Sequence, residues 1–215
     1  MSWTKEAWAA ALPAYSKILE QPFLKELLDG SLPREKFVFY LRQDALYLAE
    51  FGRALAGISS RLSDLSESEA FLGFARDTML VERALHESYL KNESKEQPKA
   101  SPSCLLYTAY VQRQLSGPVE VSMAAVLPCF WVYKEVGDHL LGLPSAPDNP
   151  YQPWIDTYGG EEYAAAVKRC MEICDRAAAQ ASQAVRASMT EVYIMGTRME
   201  WMFWNSAYQM EEWPV

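Results

Sequence analysis

Leu127-Pro-Cys-Phe-Trp-Val-Tyr-Lys-Glu-Val-Gly137 sets a cysteine directly after a proline, inside an apolar segment that otherwise reads as helix. Pro128 has no N–H, and its ring crowds the carbonyl four residues back, so the helix is expected to kink or loosen here and to free the carbonyl of Ala124. Cys129 and Tyr133 are one turn apart and share a face. Two readings stand side by side. A free cysteine is among the most buried of residues and often only fills space. A thiol beside a phenol at a loosened turn also suits the wall of a cavity.

Outward from this stretch the chain reads as helices throughout, with no sustained period-two alternation. Ser116-Gly-Pro118 opens the central helix, expected over Val119 to Leu141. Before it, helices are expected over Thr4 to Glu20, from Pro22 to the Asp29-Gly30 stop, from Pro33 to Arg61, from a capping box at Ser66-Glu-Ser-Glu69 to Lys91, and over Cys104 to Leu115 with Tyr107 and Tyr110. After it come a proline-rich connection from Leu143 to Pro153, ended by Trp154-Ile-Asp-Thr-Tyr-Gly-Gly160, an alanine-rich helix over Glu161 to Ala181, and a last helix from Gln183 to Met210. The expectation is an all-α, single-domain helical bundle spanning residues 1–215.

Composition bounds the function. Of 215 residues half are apolar and 13% aromatic, enough for one large core. The formal charge is −8, with no basic stripe for nucleic acid or an anionic membrane surface. The N-terminus lacks an apolar signal core and no run is long enough to cross a membrane, so a cytoplasmic protein is expected. Cysteines 104, 129, 170 and 174 are read as reduced thiols. Cys170 and Cys174 lie one turn apart without further ligands nearby, which favours packing over a metal.

Two carboxylates stand in unusual company. Tyr40, Asp44, Tyr47 and Phe51 fall on one helical face. Asp44 there is either a structural hydrogen-bond partner of Arg42, Arg53 or a tyrosine, or a substrate acceptor between aromatic walls. Glu200 sits among Trp201, Phe203 and Trp204; it is either exposed on a wet face or a desolvated general acid. Glu82 and His86 have the spacing of a metal pair, but a second Glu-x-x-His element is missing. His139 is about 15 Å along the helix from Cys129, too far to serve it as a base.

The blocks Gln21-Pro-Phe, Asp29-Gly-Ser-Leu-Pro33, Tyr40-Leu-Arg-Gln-Asp-Ala-Leu-Tyr47, Glu82-Arg-Ala-Leu-His86, Leu127-Pro-Cys-Phe-Trp-Val-Tyr133, Trp154-Ile-Asp-Thr-Tyr-Gly-Gly160 and Phe203-Trp-Asn-Ser-Ala-Tyr208 run in order along nearly the whole chain. With them the chain resembles the TenA/thiaminase II family, the aminopyrimidine aminohydrolases of thiamin salvage, in its cysteine-containing branch. The resemblance implies a fold similar to haem oxygenase, an aminopyrimidine or thiamin as substrate, no cofactor or metal, and a homo-oligomer, commonly a tetramer. It implies Cys129 as nucleophile, Glu200 as proton donor, Asp44 as the carboxylate that binds the pyrimidine and sharpens the thiol, and Tyr47 as its support. Tyr133 and Tyr158 match substrate-contacting tyrosines, and Tyr107 a pocket tyrosine. The alternatives are a metal-dependent oxygenase or oxidoreductase on the same fold using Glu82 and His86, and a non-catalytic regulator.

Overall fold

The computed structural model describes residues 2–89 and 98–215, those from 81 to 88 by their backbone alone. The described residues form nine helices and no strand: α1 (Trp3–Leu19), α2 (Pro22–Asp29), α3 (Arg34–Ser59), α4 (Leu65–Tyr89), α5 (Pro102–Gln114), α6 (Val119–Leu141), α7 (Gln152–Tyr158), α8 (Glu161–Gln180) and α9 (Gln183–Gln209). Among them no helix is long and apolar enough to cross a membrane.

The expected elements are present with two corrections. The stretch after the proline-rich connection is itself a helix, α7, which opens with Pro153 in its first turn and ends at Gly159. At the start of α4 the cap is Asp64, whose carboxylate accepts from the Glu67 N–H at 2.9 Å, so Ser66 lies within the first turn. A carboxylate three residues before that N–H takes the capping place, and the charge also suits the helix N-terminus. The expected end of α4 near Lys91 lies outside the described residues. Elsewhere the local signals act as read: Pro22 sits in the first turn of α2, and Gly30 ends it in the left-handed region at φ 77°.

The described chain divides into two compact units, Met1–Leu32 with Glu120–Trp201, and Pro33–Val119 with Met202–Val215. In the first, α1 is tied to distant helices. Thr4 donates to Asp175 from its N–H (2.8 Å) and its hydroxyl (2.9 Å), and the Trp3 indole donates to Thr190 (3.0 Å). Trp8 stacks on Trp131 of α6 with centroids 4.6 Å apart. Phe23, Leu24 and Leu27 form the buried face of α2, each worth about 1.5–3 kcal/mol. The proline-rich connection is anchored through Asn149, which donates to the carbonyls of Leu27 and Leu28 at the end of α2.

α7 meets α6 at Gly137. A Cβ there would lie 2.5 Å from the Tyr158 carbonyl carbon and 2.6 Å from the Gly159 nitrogen. Both obstacles are backbone, so one helix must move to admit a methyl group. Gly137→Ala is therefore expected to destabilise the protein by about 1–3 kcal/mol, the usual cost of overpacking, read as a lower urea midpoint at unchanged m-value.

In the second unit α3 packs on α4 and α5. The buried Gln43 of α3 accepts from the Ser101 N–H (2.8 Å) and donates to the Lys99 carbonyl (3.0 Å), fixing the entry to α5. Ser101 caps α5 by accepting from the Cys104 N–H at 3.2 Å. The C-terminal segment joins here: Glu211 accepts from the Ser103 N–H and the Ser206 hydroxyl, both at 2.9 Å. Partial burial works against its charge, yet the hydrogen bonds from Ser103, Ser206 and Ser101 hold its carboxyl below the ordinary value.

Candidate active site

In the first unit the residues around Cys129 are built on four helices, α6, α7, α8 and α9. Pro128 lies within α6, and its ring is received by Gly196 of α9, where a Cβ would come to 2.6 Å from Pro128 Cγ. One turn along each helix, Trp131 meets Tyr193 with centroids 5.9 Å apart. Position rises along α9 as it falls along α6, so the two helices cross antiparallel. Glu200 lies four residues beyond Gly196 and so continues the face of α9 that meets α6. It is 1% exposed, which rules out the solvent-facing alternative. Burial pushes the Tyr193 phenol well above its ordinary value, and Glu135, Cys174 and Glu200 add to this.

Cys129 is 8% exposed, the most accessible of four buried thiols. Tyr133, one turn on, packs against Tyr158 (4.9 Å between centroids) and Trp154 (6.1 Å), and Trp154 packs on Tyr158 (4.6 Å). Both tyrosines expected to contact substrate therefore belong to one aromatic cluster, on α6 and α7. Cys170 and Cys174 are wholly buried in α8, as core thiols.

In the second unit the expected face of α3 is real: Tyr40, Asp44, Tyr47 and Phe51 are all buried, Asp44 at 4% exposure. Tyr47 stacks on Phe51 (5.5 Å) and packs against Tyr107 of α5 (4.7 Å) and Phe203 of α9 (5.7 Å). Tyr40 meets Phe203 edge-on at 6.1 Å. Arg53 forms an exposed ion pair with Glu50. Burial raises the Cys104 thiol to about 12, with the charge of Asp44 contributing. Cys104 stays protonated and donates weakly to the Gln43 carbonyl.

Asp44, Tyr47 and Tyr107 thus stand together in one unit, and Cys129, Tyr133, Tyr158 and Glu200 in the other. Phe203, which the sequence showed only as apolar company for Glu200, is the ring between Tyr40 and Tyr47. One contributor escaped the sequence reading. Tyr163, at the start of α8, donates its hydroxyl to the carbonyls of Cys129 and Phe130. The side chains of Glu82 and His86 lie outside the described residues. Among the described residues no three His, Cys, Asp or Glu side chains gather as a metal set.

Comparison with known proteins gives this arrangement a context. A family model described as TENA/THI-4/PQQC matches residues 8–210. The chain belongs to that family. Within the family it is 33% identical to an aminopyrimidine aminohydrolase of Bacillus subtilis, covering 99% of this chain and 92% of the relative. It is 31% identical to another aminopyrimidine aminohydrolase, from Halalkalibacterium halodurans, covering 99% and 98%. A solved TenA family transcription regulator from a Silicibacter species superposes with a TM-score of 0.86 at 28% identity, covering 96% of each chain. The all-helical, haem-oxygenase-like fold expected of the family is the fold observed.

Proposed function

We propose that this protein is a hydrolase of thiamin salvage that releases hydroxymethyl-pyrimidine from aminomethyl-pyrimidine, and from thiamin, through a covalent adduct on Cys129. The observation that carries the reading is the crossing of α6 and α9 at Pro128 and Gly196, which sets the buried carboxyl of Glu200 on the face of α9 that meets the helix of Cys129. Relatives of nearly full length at 31–33% identity that are aminopyrimidine aminohydrolases support it.

Direct displacement at the substrate's CH₂–N bond is difficult. In the proposed route the Cys129 thiolate adds to ring carbon C6, and the ring electrons expel the leaving group from the methylene. Glu200 supplies the proton that lets an amine depart as a neutral molecule. Water then adds to the exocyclic methylene, and the thiolate leaves as the ring regains aromaticity. The net change is substrate plus water to alcohol plus amine. Asp44 accepts from the exocyclic amine of the pyrimidine, Tyr47 supports the thiol, and Tyr107, Tyr133 and Tyr158 hold the flat ring. The proposed setting is the cytoplasm, as a homotetramer of single-domain subunits, without metal or cofactor.

Incubating purified protein separately with aminomethyl-pyrimidine and thiamin, and following hydroxymethyl-pyrimidine by liquid chromatography, tests the reading. Turnover of the aminomethyl compound is expected. Absence of the alcohol product with both substrates overturns the proposal.

A further inference from the structure

The Tyr163 hydroxyl reaches across 33 and 34 residues to the carbonyls of Phe130 and Cys129, at 3.1 Å in each case. Neither carbonyl lacks a place in the α6 ladder, so this is an additional bond to the helix backbone at the thiol's own residue. One phenolic proton serves both acceptors, which places the hydroxyl between them. Just N-terminal to this point the ladder is weakest, because Pro128 cannot donate to Ala124. The Tyr163 ring is held edge-on against Tyr158 at 5.3 Å, and Tyr158 in turn packs on Tyr133. The backbone around Cys129 is thereby gripped on one side by Gly196 against Pro128, and on another by the Tyr163 hydroxyl.

We propose that Tyr163 is a positioning residue: by bridging the Cys129 and Phe130 carbonyls it fixes the backbone that presents the Cys129 thiol. The inference rests on Cys129 as the nucleophile. Nucleophilic attack on a ring carbon tolerates little misplacement, and an error of about 1 Å can lower a rate by about 10²-fold. A helix missing one rung beside its reactive residue needs such a tether where an uninterrupted helix does not. The tether runs through the phenol oxygen and the contact with Tyr158 through the ring, so the two are separable.

Tyr163→Phe removes the hydroxyl and keeps the ring. Steady-state kinetics with aminomethyl-pyrimidine is expected to show kcat lowered about 10-fold or more with KM little changed. In the absence of substrate, the rate at which iodoacetamide alkylates Cys129, located by peptide mapping, is expected to change by a factor of about three or more. The other three thiols are at most 1% exposed and serve as internal controls. If kcat and the alkylation rate both stay at wild-type values, the proposal is overturned. A raised KM at unchanged kcat also overturns it, since it makes Tyr163 a substrate contact. If wild-type protein turns over neither substrate while the alkylation rate still shifts, the functional reading fails and the positioning role stands.

Discussion

Cys129→Ser is expected to abolish turnover while leaving the fold intact. Serine is nearly the shape of cysteine, and the site is 8% exposed, so packing changes little. Chemistry changes much more: a hydroxyl at neutral pH is barely ionised and a far weaker nucleophile than a thiolate. Removing one member of a working nucleophile set costs about 10⁴–10⁶-fold in kcat, and a loss in that range is expected here. Circular dichroism and the urea midpoint should match wild type. Intact-mass analysis of wild-type protein quenched during turnover should show a substrate adduct that the variant lacks. Cys170→Ala provides the contrast, since that thiol is buried within α8; its folded fraction should retain the wild-type rate. A Cys129→Ser protein that works near the wild-type rate would exclude the covalent route.

Glu200→Gln is expected to lower kcat by about 10²–10⁴-fold, the span of general acid–base catalysis. At 1% exposure the carboxyl is cut off from bulk water, and the proposed role asks it to give up and regain a proton there. Glutamine keeps the shape and can donate a hydrogen bond, yet it cannot release and regain a proton. Binding of the product pyrimidine should survive, measured by calorimetry. The pH profile carries the sharper test. An acid that must be protonated loses activity as pH rises through its pKa, so it defines the alkaline limb, and that limb should vanish or move in the variant. A full rate with an unaltered profile would remove Glu200 from the mechanism.

The helices were legible because their stops and starts are written locally. Pro22, Gly30, Pro33 and the Ser116-Gly-Pro118 break each act within one turn of themselves. α7 was not legible: it has seven residues between a proline-rich connection and a glycine pair, and its place is set by contact with Gly137, far along the chain. Ser66 imitated a cap because Asp64, which takes the position, lies only two residues away. The site divides the same way. Periodicity put Asp44 among tyrosines, and the structure keeps it there, buried. Periodicity left Glu200 undecided, because one helix cannot say which of its faces another will cover; the meeting of Gly196 with Pro128 decides it. Tyr163 had no signal at all. Its bond ends on main-chain oxygens, and any side chain can stand above those.

The ties of α1 have a consequence during synthesis. Trp3 waits for Thr190, 187 residues later, and Thr4 for Asp175, 171 residues later. At about 5–20 residues per second, roughly 9–37 s separate the synthesis of Trp3 and Thr4 from that of these partners. Until α8 and α9 are made, the apolar face of α1, with Ala7, Ala11 and Ile18, lacks its neighbours on them. By contrast, most of the second unit, Pro33–Val119, is contiguous, and only its partners in Met202–Val215, Phe203 and Glu211 among them, come late. α1 therefore spends most of the synthesis of the residues that follow it without the partners on α8 and α9 that fix its N-terminal turn.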